Sequence, residues 1–182
     1  MIHTARLCIR PFREQDAQSL FEYLSDPIVY RFEPGTPITL EEAHAVALER
    51  SQTTSFWAVE LEKTQKLIGH LYFQQSSSKE FLTWELGYIF NPAYQNQGYA
   101  SEAAGALIRY GFEHWEIHRV IAYCSPENTA SWKVMEKIGM RREGFFRKNI
   151  FFYRAEDGSP IWLDTYEYAI LKEEVLSNEK LG

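Results

Sequence analysis

A strand, a glycine-bearing loop and a helix follow one another without interruption between Leu82 and His114, and this stretch limits the fold more than any other. Leu82–Phe90 (LTWELGYIF) is rich in aromatic and β-branched residues and is halted by Asn91-Pro92, the pattern of a strand. Ala103, Leu107 and Tyr110, with Ala104, Ile108 and Phe112 beside them, recur at helical spacing. Between the two, Gln95-Asn96-Gln97-Gly98-Tyr99-Ala100 turns the chain directly into the helix. A loop of this kind points unpaired backbone N–H groups outward at the positive end of the helix dipole. That arrangement suits a phosphate. The loop is neither a Walker A loop, since no Gly-Lys-Ser/Thr closes it, nor the G-x-G-x-x-G of a dinucleotide site.

The 182 residues suffice for one domain, spanning 1–182, with a full core. No apolar run approaches the roughly 18 residues of a membrane span, and no signal-peptide pattern opens the chain; a cytoplasmic location away from membranes is expected. Arginine and lysine number 19 against 25 acids, a net charge of −6 that disfavours a nucleic-acid partner and mildly favours a basic substrate. Cys8 and Cys124 lie in apolar strand-like runs without metal-ligand or disulfide spacing. Buried reduced thiols and no metal are the expectation, in keeping with a reducing compartment.

In chain order, Arg6–Phe12 reads as a short strand, and Asp16 as the N-cap of a helix carrying Ala17, Leu20, Phe21 and Leu24. A loop with Pro34-Gly35-Thr36-Pro37 follows, and Thr39 caps a second helix to Ser51. Strands Phe56–Leu61 and Leu67–Gln74 precede a turn at Ser76-Ser77-Ser78-Lys79. Beyond the central helix come a strand over His118–Cys124, then a helix from Asn128-Thr129 to Ile138 with Gly139 at C′. Two strands, Arg142–Tyr153 and Ile161–Leu171, surround a turn at Glu156–Ser159. The order β-α-α-β-β-β-α-β-α-β-β describes an α/β (α+β) fold. Its mixed, mostly antiparallel sheet of about seven strands has a central βαβ crossover and flanking helices.

The loop Q-x-x-G-x-A resembles the pyrophosphate-binding motif of the GNAT superfamily of N-acetyltransferases, and the order of elements is that of the GNAT fold. Trp84-Glu85-Leu86-Gly87-Tyr88 resembles the E-x-G-Y strand of the RimJ/RimL-type branch, the ribosomal-protein N-terminal acetyltransferase-like group. Asn91–Ala103 is similar to that branch's loop and helix start. Glu127-Asn128-Thr129-Ala130-Ser131, Met135–Met140 and Glu143-Gly144 are similar to its N-x-x-S…EK-x-G-[FM]…EG segment, and Asp164–Leu171 to its last strand.

The resemblance implies acetyl-CoA as co-substrate and a primary amine as acceptor. It implies that Gln95, Gln97, Gly98, Tyr99, Ala100 and Ser101 form the pyrophosphate loop. Main-chain groups near Ile89 and Phe90 would pair with pantetheine where two strands splay at a bulge, and an N–H there would polarise the acetyl carbonyl. Asn128 would bond the pantetheine arm or order the cleft, and Ser131 would donate to the departing sulfur; equally, both suit a plain helix start. Many relatives carry a tyrosine acid where this chain has Met135. Ser131 or water then serves, or no acid is needed, because a thiol of pKa about 8.5 already leaves well. Glu85, a carboxylate in an apolar strand, must be partnered or face a cleft. A general base acting through water and a structural ion pair both fit it. His70, His114 and His118 are expected to be structural. Neither cysteine has an activating neighbour, so direct transfer in a ternary complex is expected.

The acceptor is less constrained. At pH 7 about a tenth of an α-amine of pKa near 8 is unprotonated, against under a thousandth of a lysine amine near 10.4. A site with one base and no tyrosine acid leans towards the α-amine of a protein or peptide N-terminus, or of an amino acid. Residues 28–37, with Tyr30, Phe32 and Glu33, and the last hairpin, with Phe151, Phe152, Tyr153 and Trp162, are expected to shape its pocket. Such aromatics also suit core or a homodimer surface. A polyamine or aminoglycoside acceptor, and a non-catalytic acyl-CoA sensor, remain open alternatives.

Overall fold

The structure is a computed structural model and describes residues 1–76 and 78–179. Eight strands form one sheet: β1 (Ile2–His3), β2 (Leu7–Pro11), β3 (Phe56–Leu61), β4 (Leu67–Gln75), β5 (Thr83–Phe90), β6 (Arg119–Cys124), β7 (Arg141–Arg154) and β8 (Pro160–Leu171). Their spatial order is β1-β2-β3-β4-β5-β6-β8-β7. Every neighbouring pair is antiparallel except β5 and β6. Helix α3 (Tyr99–His114) connects those two and makes the expected crossover. The other helices are α1 (Ala17–Leu24), α2 (Leu40–Ser51), α4 (Thr129–Lys137) and α5 (Lys172–Glu179).

Alternation along each strand divides the core into two layers. One face of the sheet packs Leu7, Ile9, Leu71, Phe73, Leu86 and Phe90 against Ala103, Leu107 and Phe112 of α3 and Met135 of α4. The other packs Ala58 and Leu67 against Ala17, Leu20 and Leu24 of α1 and Ala47 of α2. Thr39 and Glu42 form the capping box that starts α2. Asp16 does precede α1, but its carboxylate caps no amide of α1 and accepts instead from the Arg13 amide at 2.8 Å. It accepts two 2.8 Å bonds from the buried Arg10 guanidinium, which also bonds Glu60 at 2.8 Å. That ion cluster ties β2 and β3 to the start of α1, and the stronger charge-assisted bonds displace the cap.

The boundaries expected from the sequence need three corrections. Leu82 is outside β5, since its φ of +47° is left-handed and breaks the extended run. The Ile2–His3 strand was not anticipated, because two residues carry no periodicity of their own and are strand only by pairing with Cys8 and Ile9. Nor was α5, which follows the last expected strand. Its start is held by Glu174, which accepts from the Leu171 amide at 2.7 Å and pairs with Arg141. Ser77, within the expected turn, and residues 180–182 lie outside the described residues. Both cysteines are buried and free.

Pairing between β5 and β6 covers only Thr83–Glu85 against Arg119–Ile121. Past Glu85 the two strands part, while β5 stays in unbroken register with β4 from Trp84 to Phe90. The expected splay is present, but without a bulge in β5; the nearby irregularity lies opposite Val59 and Glu60, where Ile68 of β4 is the extra residue. Gly69 on β4 sets how closely β5 lies on its other side. A Cβ there would stand 2.7 Å from both the Ile89 carbonyl oxygen and the Phe90 ring. Gly69→Ala is expected to lower stability by ~1–3 kcal/mol through overpacking, read as an earlier urea midpoint. An unchanged midpoint would show that β5 yields freely at this point.

Candidate functional site

Two cavities meet where β5 and β6 part. The first, of about 480 Å³, runs from residues 28–33 past Ile89 and Phe90 to the start of α3 and along α4. The second, of about 1080 Å³, opens on the other side towards α2, β4 and the β7–β8 hairpin. Glu33, Tyr88, Ile89, Asn128 and Ser131 line both.

At the far end of the first cavity Gly98 adopts φ +81° and caps α3 without a side-chain bond. Glu102 N–H is the first amide of this turn bonded back, to Gly98 O at 3.0 Å. The amides of Tyr99, Ala100 and Ser101 are therefore the open donors of the helix start. Arg6 crosses from the β2 side, donating to Gln97 O at 3.0 Å, pairing with Glu102 at 2.6 Å and lying 4.4 Å over the Tyr99 ring. A Cβ on Gly98 would sit 3.4 Å from Arg6 Nη2 and 3.7 Å from Lys137 Nζ. Three open amides flanked by two cations fit a pyrophosphate. Neither Arg6 nor Lys137 was legible as part of this site, because each comes from an element remote in sequence. Gln95 and Gln97 brace the loop instead of projecting from it, donating to Phe90 O at 3.1 Å and Ala93 O at 3.4 Å.

The β5 backbone in the gap differs in one respect from the sequence expectation. The Ile89 carbonyl points at Gly69 on β4, whereas the His118 amide reaches Leu82 O on the β6 side at 2.9 Å. Alternation then turns the main chain of Leu86, Tyr88 and Phe90 towards the gap and that of Ile89 away from it. Ile89 contributes its side chain to the cavity walls. The Tyr88 main chain and the Phe90 amide present the free strand edge, the Phe90 carbonyl being taken by Gln95 at 3.1 Å.

Helix α4 opens at the same place. Asn128 Oδ1 accepts from the Ser131 amide at 3.1 Å, a helix cap that leaves the Asn128 Nδ2 group to the cavities. The Tyr88 hydroxyl donates to Ser131 O at 2.8 Å and lies 3.0 Å from Ser131 Oγ. Burial raises the Tyr88 pKa, keeping the phenol protonated. Met135, where a tyrosine acid is usual, is buried in the core; a different tyrosine thus brings a phenol to this serine. The sequence shows Tyr88 only as part of a strand motif.

Carboxylates complete the arrangement. Glu85 faces the second cavity and has no hydrogen bond or ion pair among the described residues, and burial raises its pKa. Glu33, carried by the loop after the short turn Pro27–Arg31, is pushed by burial from 4.5 to about 7. Tyr153 of β7 secures that loop, its hydroxyl lying 2.9 Å from Gly35 O and 3.1 Å from Glu33 O. His70 is buried and bonded to Tyr23 at 2.7 Å, and His114 to Tyr110 O at 2.9 Å, so both act structurally.

Comparison with known proteins agrees with this geometry. Residues 6–141 match the family described as Acetyltransferase (GNAT) domain. The chain is 46% identical to the uncharacterized N-acetyltransferase YnaD of Bacillus subtilis, over 95% of this chain and 98% of that one. It is 26% identical to the [ribosomal protein uS5]-alanine N-acetyltransferase of Escherichia coli, over 78% of each. A crystal structure of a GNAT-family acetyltransferase from Bacillus anthracis superposes with a TM-score of 0.87 at 43% identity, covering 95% of this chain and 99% of that one. The open amides at the start of α3, the parted strands and these matches lead to one conclusion: the chain belongs to the GNAT family of acetyltransferases.

Proposed function

We propose that residues 1–182 form a single catalytic domain that transfers an acetyl group from acetyl-CoA to an α-amine. The acceptor is a peptide or protein N-terminus, or an amino acid, and transfer is direct, in a ternary complex. The observation that carries this is the meeting of the two cavities at Tyr88, Ile89 and Ser131 beside Glu33. A thioester entering from one side there meets an amine entering from the other.

Acetyl-CoA supplies the activated acyl group; the chain does the rest. The amides of Tyr99, Ala100 and Ser101, with Arg6 and Lys137, hold the pyrophosphate. The open edge of β5 holds the pantetheine arm as an added strand, and Asn128 steadies it through Nδ2. The Tyr88 amide, facing the gap, stabilises charge growing on the acyl oxygen. Ser131 Oγ, 3.0 Å from the Tyr88 hydroxyl that positions it, donates a hydrogen bond to the departing thiolate, which leaves as the anion and takes its proton from solvent. Glu33 removes the amine proton. Its pKa of about 7 lies near that of an α-amine, about 8, and far below a lysine's 10.4. This match favours the α-amine. Glu85, confined to the acceptor cavity, draws the cationic amine in. Cys124 stays outside the chemistry, since burial holds its thiol up at about 11.

Thiol release from acetyl-CoA should be measured against peptides with free N-termini, amino acids, spermidine and an aminoglycoside. Turnover with the α-amines is expected; turnover with only spermidine or the aminoglycoside would replace the acceptor, and none with any amine despite acetyl-CoA binding would make the chain a sensor. Tyr88→Phe and Ser131→Ala should each slow kcat by roughly 10²-fold, with acetyl-CoA binding kept. A loss under threefold in both would remove this pair from the mechanism.

Glu33 should also leave a signature in stability. Its folded pKa lies above the unfolded value of about 4.3, so the folded state favours the neutral acid. The associated stability is full below about pH 4 and is lost as pH rises through about 7. Glu33→Gln is therefore expected to raise Tm at pH 8, to change it little at pH 4, and to remove the rise in kcat/KM near pH 7. An equal Tm shift at both pH values would show that the carboxyl is not held neutral.

A further inference from the structure

One corner of the acceptor cavity is walled by Arg50, Phe56, His70 and Tyr72. Arg50 stands in the last turn of α2, its guanidinium carbon 4.2 Å above the Phe56 ring and 5.4 Å from that of Phe12. Its Nη1 is buried and has no hydrogen-bond partner among the described residues. A buried donor left without an acceptor weakens the folded state, and more so when it is charged. Burial lowers the Arg50 pKa accordingly. The fold thus holds a guanidinium against the Phe56 and Phe12 rings with the hydrogen-bonding capacity of its Nη1 unmet among the described residues.

Neighbouring groups give Nη1 no hydrogen bond among the described residues. Tyr23 is occupied with His70 at 2.7 Å, and the Tyr30 hydroxyl donates to Leu24 O at 2.9 Å. His70 is held neutral by burial and by the charge of Arg50 itself. Of the cavity's carboxylates, Asp164 accepts from the Lys148 amide at 2.8 Å, while Glu33 and Glu85, both raised by burial, make no hydrogen bond or ion pair to Arg50 among the described residues. The cavity has an acidic pole at Glu33 and a separate, unsatisfied basic pole at Arg50.

We propose that Arg50 determines acceptor specificity by binding a carboxylate, and that the acceptor is an amine that carries one. The amine docks at Glu33 and the carboxylate takes the planar fork of Arg50, whose geometry matches two carboxylate oxygens. Stacking on Phe56 holds the fork in the cavity wall before the acceptor arrives. This rests on the acetyltransferase reading of the same site. The carboxylate has two sources, a free amino acid or the acidic first residue of a peptide.

Matched acceptors separate them: glutamate against its diamide, and a peptide beginning with glutamate against the same peptide beginning with glutamine. KM is measured for each, and each is titrated calorimetrically into the CoA-loaded protein. The carboxylate-bearing member of at least one pair should be favoured on the order of 10–100-fold. Arg50→Gln should abolish that preference without changing the acetyl-CoA KM, and Arg50→Lys should restore only part of it. Preference in the first pair alone indicates the free amino acid, and in the second alone the peptide. Equal affinities within both pairs for the unmodified protein, a comparison that needs no variant to fold, would overturn the proposal. So would a preference that survives Arg50→Gln. Carboxylate binding that depends on Arg50 but leads to no acetylation would keep Arg50 as a carboxylate site while refuting the acceptor reading. Acetylation indifferent to the carboxylate would do the reverse.

Discussion

The parting of β5 from β6 is the constraint on which the other features depend. Backbone N–H and C=O groups need partners, and β5 has them along its β4 edge while losing them after Glu85 on its β6 edge. The result is a free strand edge inside the molecule, kept rigid by its other neighbour. Gly69 allows that neighbour to lie close. The α3 and α4 starts converge on the same opening, one with open amides and the other with Ser131. A ligand that is part strand and part phosphate fits this combination.

Charge is distributed to match. Arg6 and Lys137 flank the start of α3 although the chain as a whole carries −6. Glu33 and Glu85 face the opposite side of the gap, with burial acting on both. Buried carboxyl groups without ion partners and a guanidinium without an oxygen weaken the folded state. Their joint presence along one cavity is the trade of stability for activity that functional sites make.

The periodic parts of the fold were legible in the sequence. The β5–α3–β6 crossover, the caps at Thr39 and Asn128 and the left-handed Gly139 follow from local pattern and turn chemistry. Elements defined by their partners were not legible. The Ile2–His3 strand exists through Cys8 and Ile9, and α5 is anchored by Arg141. The same division runs through the site. The loop and Asn128-x-x-Ser131 are local motifs, whereas the Tyr88–Ser131 contact joins residues 43 apart. The burial of Glu33 depends on a loop tied down by Tyr153, 120 residues away. Ile89 and Phe90 were expected together at the strand edge, but alternation assigns that edge to Tyr88 and Phe90, a distinction of one residue that only the register with β4 settles.

Backbone amide exchange with and without CoA tests the central claim most directly, because it reads the free edge of β5 itself. Protection is expected to rise at Tyr88 and Phe90, and at Tyr99, Ala100 and Ser101, with Ile89 already slow in the absence of CoA through its pairing to β4. Protection confined to other segments, with the β5 edge exchanging at the same rate when CoA is bound, would contradict the account.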